Sequence, residues 1–231
     1  DVRPQVVAEA IDQGVDFIFS HHPLIFKPAA DLDLRDPQKA MYADLLAHQI
    51  TVYSAHTNLD SANGGMNDWL ATQLGLTNCT GLVPAGLDPV TKAAVAMGRV
   101  GDLPAKMAPR TFAAWCQDRF QVPAVRLVLP PHDRAKPISR VAILGGSGGS
   151  FISRAIAAGA DAYVTGDLSY HHAQDAQAAG LVMVDPGHHI EVLAAAKLAE
   201  LFTRWNRQND WQLTVSQSQV NTEPFEFITE G

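Results

Sequence analysis

Three histidine doublets, His21-His22, His171-His172 and His188-His189, stand in a chain of 231 residues that holds nine histidines in all. Composition alone gives about a third of one adjacent pair by chance. Each doublet closely follows a short β-like run: Phe17-Ile18-Phe19, Ala162-Tyr163-Val164 and Leu181-Val182-Met183-Val184. Imidazole is the commonest metal ligand and the side chain most readily tuned to proton transfer near neutrality. A chain that repeatedly places it where strands end is expected to build a metal site.

Carboxylates accompany these imidazoles at useful spacings. His56 and Asp60 are four apart, so a turn between them aims both at one point. His188 and Glu191 are three apart at an expected helix start, which puts both on one helical face. Mixed imidazole nitrogen and carboxylate oxygen suits zinc, iron or manganese better than calcium or magnesium. The four histidines His21, His22, His56 and His188, with Asp60 and Glu191, exceed what one tetrahedral ion can use. Two divalent transition-metal ions about 3.5–4 Å apart, bridged by a carboxylate, would use all six, polarise a substrate oxygen and lower the pKa of a water. His189 competes with His188, because a small change of helix phase brings it inward. His48 and His132 read as ordinary surface histidines.

Two further groups fall at strand ends. Asp167, Tyr170 and His171 suit a supporting or substrate-facing role, with Tyr170 or His171 relaying protons; the alternative is a plain Gly-Asp turn before a helix. Gly145-Gly146-Ser147-Gly148-Gly149-Ser150 could cradle an anion such as phosphate with backbone N–H groups, or be only a tight turn. It lacks the lysine of a P-loop.

The elements that must position these residues follow from periodicity. A helix is expected just after Asp1, which resembles an N-cap, with Pro4 in its first turn and an apolar stripe of Val6, Val7, Ala10 and Ile11. Strands are expected at 15–19, 50–55, 90–97, 124–129, 141–144, 162–165 and 181–184, with a last one at 213–216. Helices are expected at 37–48, 67–74, 109–120, after 150 to 158, at 172–179 and at 189–204. This β-α alternation implies largely parallel sheets with helical crossovers, whose ligands gather outside the carboxyl ends of the strands. Prolines 84, 89, 104, 109, 123, 130, 131 and 137 break up the middle of the chain. The expected organisation is an α/β protein of two α/β lobes, 1–85 and 141–231, joined by a small Pro-rich segment, 86–140. A helix with no strand before it suggests that a natural beginning is missing.

Composition narrows the function. Hydrophobic residues make up 47% and charged residues 18%, with a formal net charge of −7. That balance argues against a general nucleic-acid grip while permitting a local basic pocket. No apolar stretch reaches the length of a membrane span and no secretory leader is evident, so a cytoplasmic location is expected. Cys79 and Cys116, outside any CxxC, read as reduced, buried thiols.

Ser20-His21-His22-Pro23-Leu24-Ile25-Phe26, His56-Thr57-Asn58-Leu59-Asp60, the glycine run, Thr165-Gly166-Asp167 with Tyr170-His171, and Gly187-His188 with Glu191 resemble the NIF-three-like family. Its members are often labelled GTP cyclohydrolase 1 type 2 homologues. The likeness runs in order along the whole chain to Thr222-Glu223-Pro224-Phe225. It implies a two-lobed α/β protein with a dinuclear iron or zinc centre in a ring-shaped homohexamer. The ligands would be His21, His22, Asp60, His188 and Glu191, with His56 at or beside the metals. The chain lacks the inserted domain of the long members, which places it with the short type. The expected activity is that of a metal-dependent hydrolase acting on a nucleotide or phosphorylated small molecule. The alternatives are a non-catalytic metal scaffold or metallochaperone, and a metal-free nucleotide-binding regulator.

Overall fold

The computed structural model describes residues 1–132 and 134–228. The chain forms two compact units, one of residues 1–59 with 194–225 and one made essentially of residues 60–193. Both are α/β, as the periodicity predicts.

The first unit begins with α1 (Pro4–Asp12), β1 (Phe17–Ser20), α2 (Pro37–Ala47) and β2 (Thr51–Ser54), and α3 (Thr57–Ser61) starts in it. Most of α8 (Leu193–Asn209) also belongs to it. β1 and β2 pair in parallel, with Phe17 opposite Thr51 and Ser20 opposite Ser54. The α1 stripe and α2 close a core of Val2, Val7, Ala10, Met41, Leu45 and Ile50. Phe19 packs against Tyr53 and Phe202, and Phe202 against Trp205, which seats α8 on the small sheet. Pro4 does start α1, but its N-cap is Arg3 and no side chain caps the helix. Asp1 is used elsewhere.

The second unit is a six-stranded sheet in the order β3-β4-β6-β7-β8-β5. Its strands are β3 (Thr77–Leu87), β4 (Ala94–Met107), β5 (Arg126–Val128), β6 (Ile138–Ser147), β7 (Ala162–Gly166) and β8 (Val182–Asp185). β6, β7 and β8 run parallel, whereas β3 with β4, β4 with β6 and β5 with β8 are antiparallel. The parallel strands are the near-continuous apolar runs seen in the sequence, and β7 and β8 are buried throughout. Strands covered on both faces require that composition. Helices α4 (Met66–Leu74), α5 (Pro109–Phe120), α6 (Ile152–Ala157) and α7 (Tyr170–Ala178) pack around it.

The segment boundaries expected near 85 and 140 lie inside β3 and β6. Two of the prolines lie within strands and Pro109 opens α5. Pro84 sits in the edge strand β3, where a missing N–H is tolerated, and Pro104 lies in the irregular stretch of β4 between Asp102 and Met107. β3 was not expected, because it is mostly exposed and carries polar residues, Gly and Pro; the strand expected at 90–97 covers only the start of β4. No strand forms at 213–216. Cys116 is buried, and burial pushes its thiol up, but Cys79 is exposed on β3. Among the described helices none is long and apolar enough to cross a membrane.

Candidate metal centre

Strand register brings the first three imidazoles together. Ser20 and Ser54 are opposite each other, their hydroxyls 2.7 Å apart, and the Ser20 hydroxyl donates to the carbonyl of His22 at 2.9 Å. The next residues on each strand, His21 and Ala55, are then neighbours, and His21 Nδ1 lies 2.8 Å from the Ala55 carbonyl. A carbonyl only accepts, so Nδ1 carries the proton and the lone pair of His21 is on Nε2. His22 Nδ1 lies 3.0 Å from the carboxylate of Asp1, which favours the same tautomer. Ring centroids of His21, His22 and His56 are 4.8–5.3 Å apart, and each ring offers a nitrogen within 4.8 Å of the others. Imidazoles turned by a carbonyl or carboxylate on the far nitrogen are the arrangement that metal-binding histidines adopt.

The second unit gathers the carboxylates. Glu191, on a 3-10 turn (His188–Val192) after β8, is buried at 8% exposure. One of its oxygens lies 3.2 Å from His188 Nε2, and an Asp60 oxygen comes within 4.8 Å of a Glu191 oxygen. His188, the first of the doublet, therefore places an imidazole on Glu191. Asp167 Oδ2 holds the other face of the ring, 2.7 Å from His188 Nδ1. Asp167, expected near substrate, is thus placed as a partner of His188.

The hydrogen bond to Glu191 pushes the His188 pKa up to about 9; burial opposes the rise and Asp167 adds to it. A raised imidazole pKa means the ion pair's contribution to stability is complete below about pH 6.5 and is lost as pH rises through about 9. A cation taken up at His188 Nε2 must therefore displace a proton. Calorimetry of zinc binding in buffers of different ionisation enthalpy should find about one proton released from this site at pH 7, falling to about half of one near pH 9 and toward none above it. Proton release that stays constant across that range would contradict the assignment.

Two residues with no assigned role in the sequence reading hold the loops of this site. Asp185, buried at 3%, accepts from Leu168 N–H at 2.9 Å and from Gly187 N–H at 2.8 Å, and pairs with Arg126. It thereby ties the residue after Asp167 to the residue before His188. Asn67, fully buried, bonds to Asp60 and Gly145. The available signal was a polar residue next to the apolar face of α4.

The glycine run ends β6 and is closely packed. Gly145 N–H goes to Asn67 and Gly148 N–H to Thr165. Gly146, at φ +61°, leaves room for His188: a Cβ there would sit 3.3 Å from His188 Nε2 and 3.1 Å from Glu191. A Cβ on Gly149 would fall 2.4 Å from His172 Nδ1. Close approach by neighbouring side chains accounts for these glycines; two of the amides expected to cradle an anion are already committed.

Tyr170 and His171 open α7, with ring centroids 5.5 Å apart. Tyr170 is 72% exposed and borders a cavity of about 300 Å³ with Arg110, Arg134, Gln174 and Gln177. His171 belongs to no group of His, Cys, Asp and Glu able to hold a metal ion among the described residues.

The sequence profile of Duf34/NIF3 (NGG1p interacting factor 3) matches residues 1–224. A Streptococcus pneumoniae protein named GTP cyclohydrolase 1 type 2 homolog is 42% identical, over 99% of this chain and 84% of that protein. A Bacillus subtilis protein of the same name is 28% identical, over 99% of this chain and 87% of its own length. That alignment spans 329 positions against 231 residues here, so the relative carries a stretch this chain lacks. The solved structure of a Bacillus cereus protein related to NIF3 superposes with a TM-score of 0.92 at 25% identity, covering 99% of this chain and 87% of that one.

Proposed function

Since this chain belongs to the Duf34/NIF3 family, we propose that it holds two divalent transition-metal ions, iron or zinc, through His21, His22, His56, Asp60, His188 and Glu191, and uses them in hydrolysis. The observation that carries the proposal is the orientation of the donors. His21 and His22 have their Nδ1 atoms turned onto Ala55 and Asp1, His188 has its own on Asp167, and Glu191 is buried beside it. Imidazole nitrogen with buried carboxylate oxygen fits zinc or iron, with manganese also accommodated. Divalent ions there would supply Lewis acidity and a nucleophile generated from water at neutral pH.

The chain's own residues have separate tasks in this reading. Asp167 orients His188, and Asp185 keeps the two loops that carry them in step. Tyr170 and His171, exposed at the start of α7, would hold or pass a proton to a substrate in this reading. Gly146 gives His188 and Glu191 room, and Ser147, Gly149 and Ser150 line the end of β6 where substrate phosphate would approach. The substrate class is a nucleotide or phosphorylated small molecule, following the name carried by the relatives. Assembly as a homo-oligomer, a hexameric ring, and residence in the cytoplasm complete the proposal; sedimentation analysis decides the first.

The test is elemental analysis of the purified protein followed by a panel of nucleotides, GTP among them, and phosphoesters. About two ions per chain are expected, with turnover that His21→Ala abolishes. Two bound ions with no turnover sensitive to His21→Ala would instead establish a metal scaffold or carrier. No bound metal would refute both.

A further inference from the structure

Asn67 lies on α4 facing the second unit's interior, with no exposed surface. Its Nδ2 donates to the backbone carbonyl of Asp60 at 3.0 Å, and its Oδ1 accepts the backbone N–H of Gly145 at 3.0 Å. The two partners have opposite, fixed hydrogen-bonding roles, so they dictate which way the amide points. An apolar side chain of the same size would leave a buried carbonyl and a buried N–H without partners, so the amide is needed at this position.

What the amide joins matters more than its own burial. One end fixes the backbone of Asp60. The other fixes the end of β6, where Gly145 is in contact with Glu191: a Cβ on Gly145 would lie 2.7 Å from Glu191 Oε1. The two acidic groups, 131 residues apart in sequence numbering, are thus referenced to one side chain. We infer that Asn67 is a positioning residue that sets the separation of the Asp60 and Glu191 carboxylates, and through it the fit of a divalent cation; the cation part of this inference rests on the metal reading above. The hydrogen bonds themselves do not depend on metal.

Asn67→Asp is the informative substitution. It keeps an acceptor for Gly145 N–H but turns the bond to the Asp60 carbonyl into an oxygen–oxygen repulsion, so it moves Asp60 while retaining one latch. Asn67→Leu removes both. Trp115→Phe is the comparison, since it deletes one hydrogen bond to the Leu74 carbonyl at the far end of the same helix. Cobalt(II) is the probe, followed by its visible spectrum and by titration, alongside the crystal structure of each metal-free variant.

Asn67→Asp should bind cobalt about 10- to 100-fold more weakly with an altered spectrum, while Trp115→Phe binds as the unaltered protein does. In the metal-free crystal the Asp60 and Glu191 oxygens should lie farther apart in Asn67→Asp than in the unaltered protein. Unchanged affinity and spectrum in Asn67→Asp, or an unchanged separation, would overturn the inference. If the unaltered protein takes up no cobalt, the metal reading falls, and the carboxylate separation in the variant crystals still decides whether Asn67 positions them.

Discussion

Glu191→Gln should abolish binding of at least one of the two metal ions proposed for this site and at the same time return His188 to ordinary titration. The substitution keeps the shape of a side chain that is 8% exposed, so packing changes little. It removes the negative charge and one anionic donor. Structural zinc sites bind with about 10–16 kcal/mol shared among four ligands, so one ligand is worth about 3 kcal/mol, or about a hundred-fold in affinity. The second consequence concerns the metal-free protein. The hydrogen bond that His188 donates to Glu191 is the largest influence holding the His188 pKa near 9; without it, only Asp167 opposes the effect of burial. The imidazole should then titrate well below 9, moving toward 6.5, and the pH range in which its ion pair stabilises the fold should contract from the alkaline side. Metal content by elemental analysis and the His188 ring signals in NMR read the two effects separately. Retention of both ions together with an unchanged titration would show that Glu191 is not in the site.

Arg99→Met should lower stability by about 3 kcal/mol, near the lower end of the cost of breaking a buried ion pair, which corresponds to roughly 6–12 °C in Tm. Arg99 is only 4% exposed, and its guanidinium grips Asp68 with two bonds of 2.6 and 2.8 Å. It also donates to the carbonyls of Ala96, Gly98 and Ala62, at 2.6, 2.9 and 3.1 Å. Methionine fills much of the same volume and satisfies none of these acceptors. Asp68 keeps partial access to water, its side chain 31% exposed, which is why the lower end of the range applies. Arg99→Lys should recover only part of the loss, because an ammonium cannot make the two-pronged contact. A thermal melt of the metal-free protein is the measurement, and a Tm within about 2 °C of the original, under 1 kcal/mol for a chain of this length, would contradict the role assigned to Arg99.

Much of the candidate site was visible in the order of residues. A strand leaves a local mark in its β-branched and apolar run, and the residue that follows it can be named without knowing where the strand lies. That is how His21, His22, Asp60, His188 and Glu191 were picked out, and why the strands carrying most of them were foreseen within a few residues. The preference for His188 over His189 was less secure, since it turns on the phase of a single 3-10 turn. Asp1 was misjudged: it has the composition of a helix cap, yet its carboxylate is drawn to His22, and Arg3 starts the helix. Asn67 and Asp185 were given no role because nothing in their immediate neighbours reveals that each ties together two backbone groups distant in sequence.

Residue type and local periodicity determined which donors this protein possesses and that they stand at strand ends, because both properties are set by short stretches of chain. Tertiary structure alone decided which atom of each donor is presented: the Ala55 carbonyl turns His21, Asp1 turns His22, and Asp167 and Glu191 share His188. It also decided the direction of the strands. The expected parallel pairing holds for β1 with β2 and for β6, β7 and β8, while β3, β4 and β5 are set antiparallel to their neighbours. Pairing direction depends on where a connection returns in space, and hydrogen bonds between distant segments leave no trace in the order of the residues that make them.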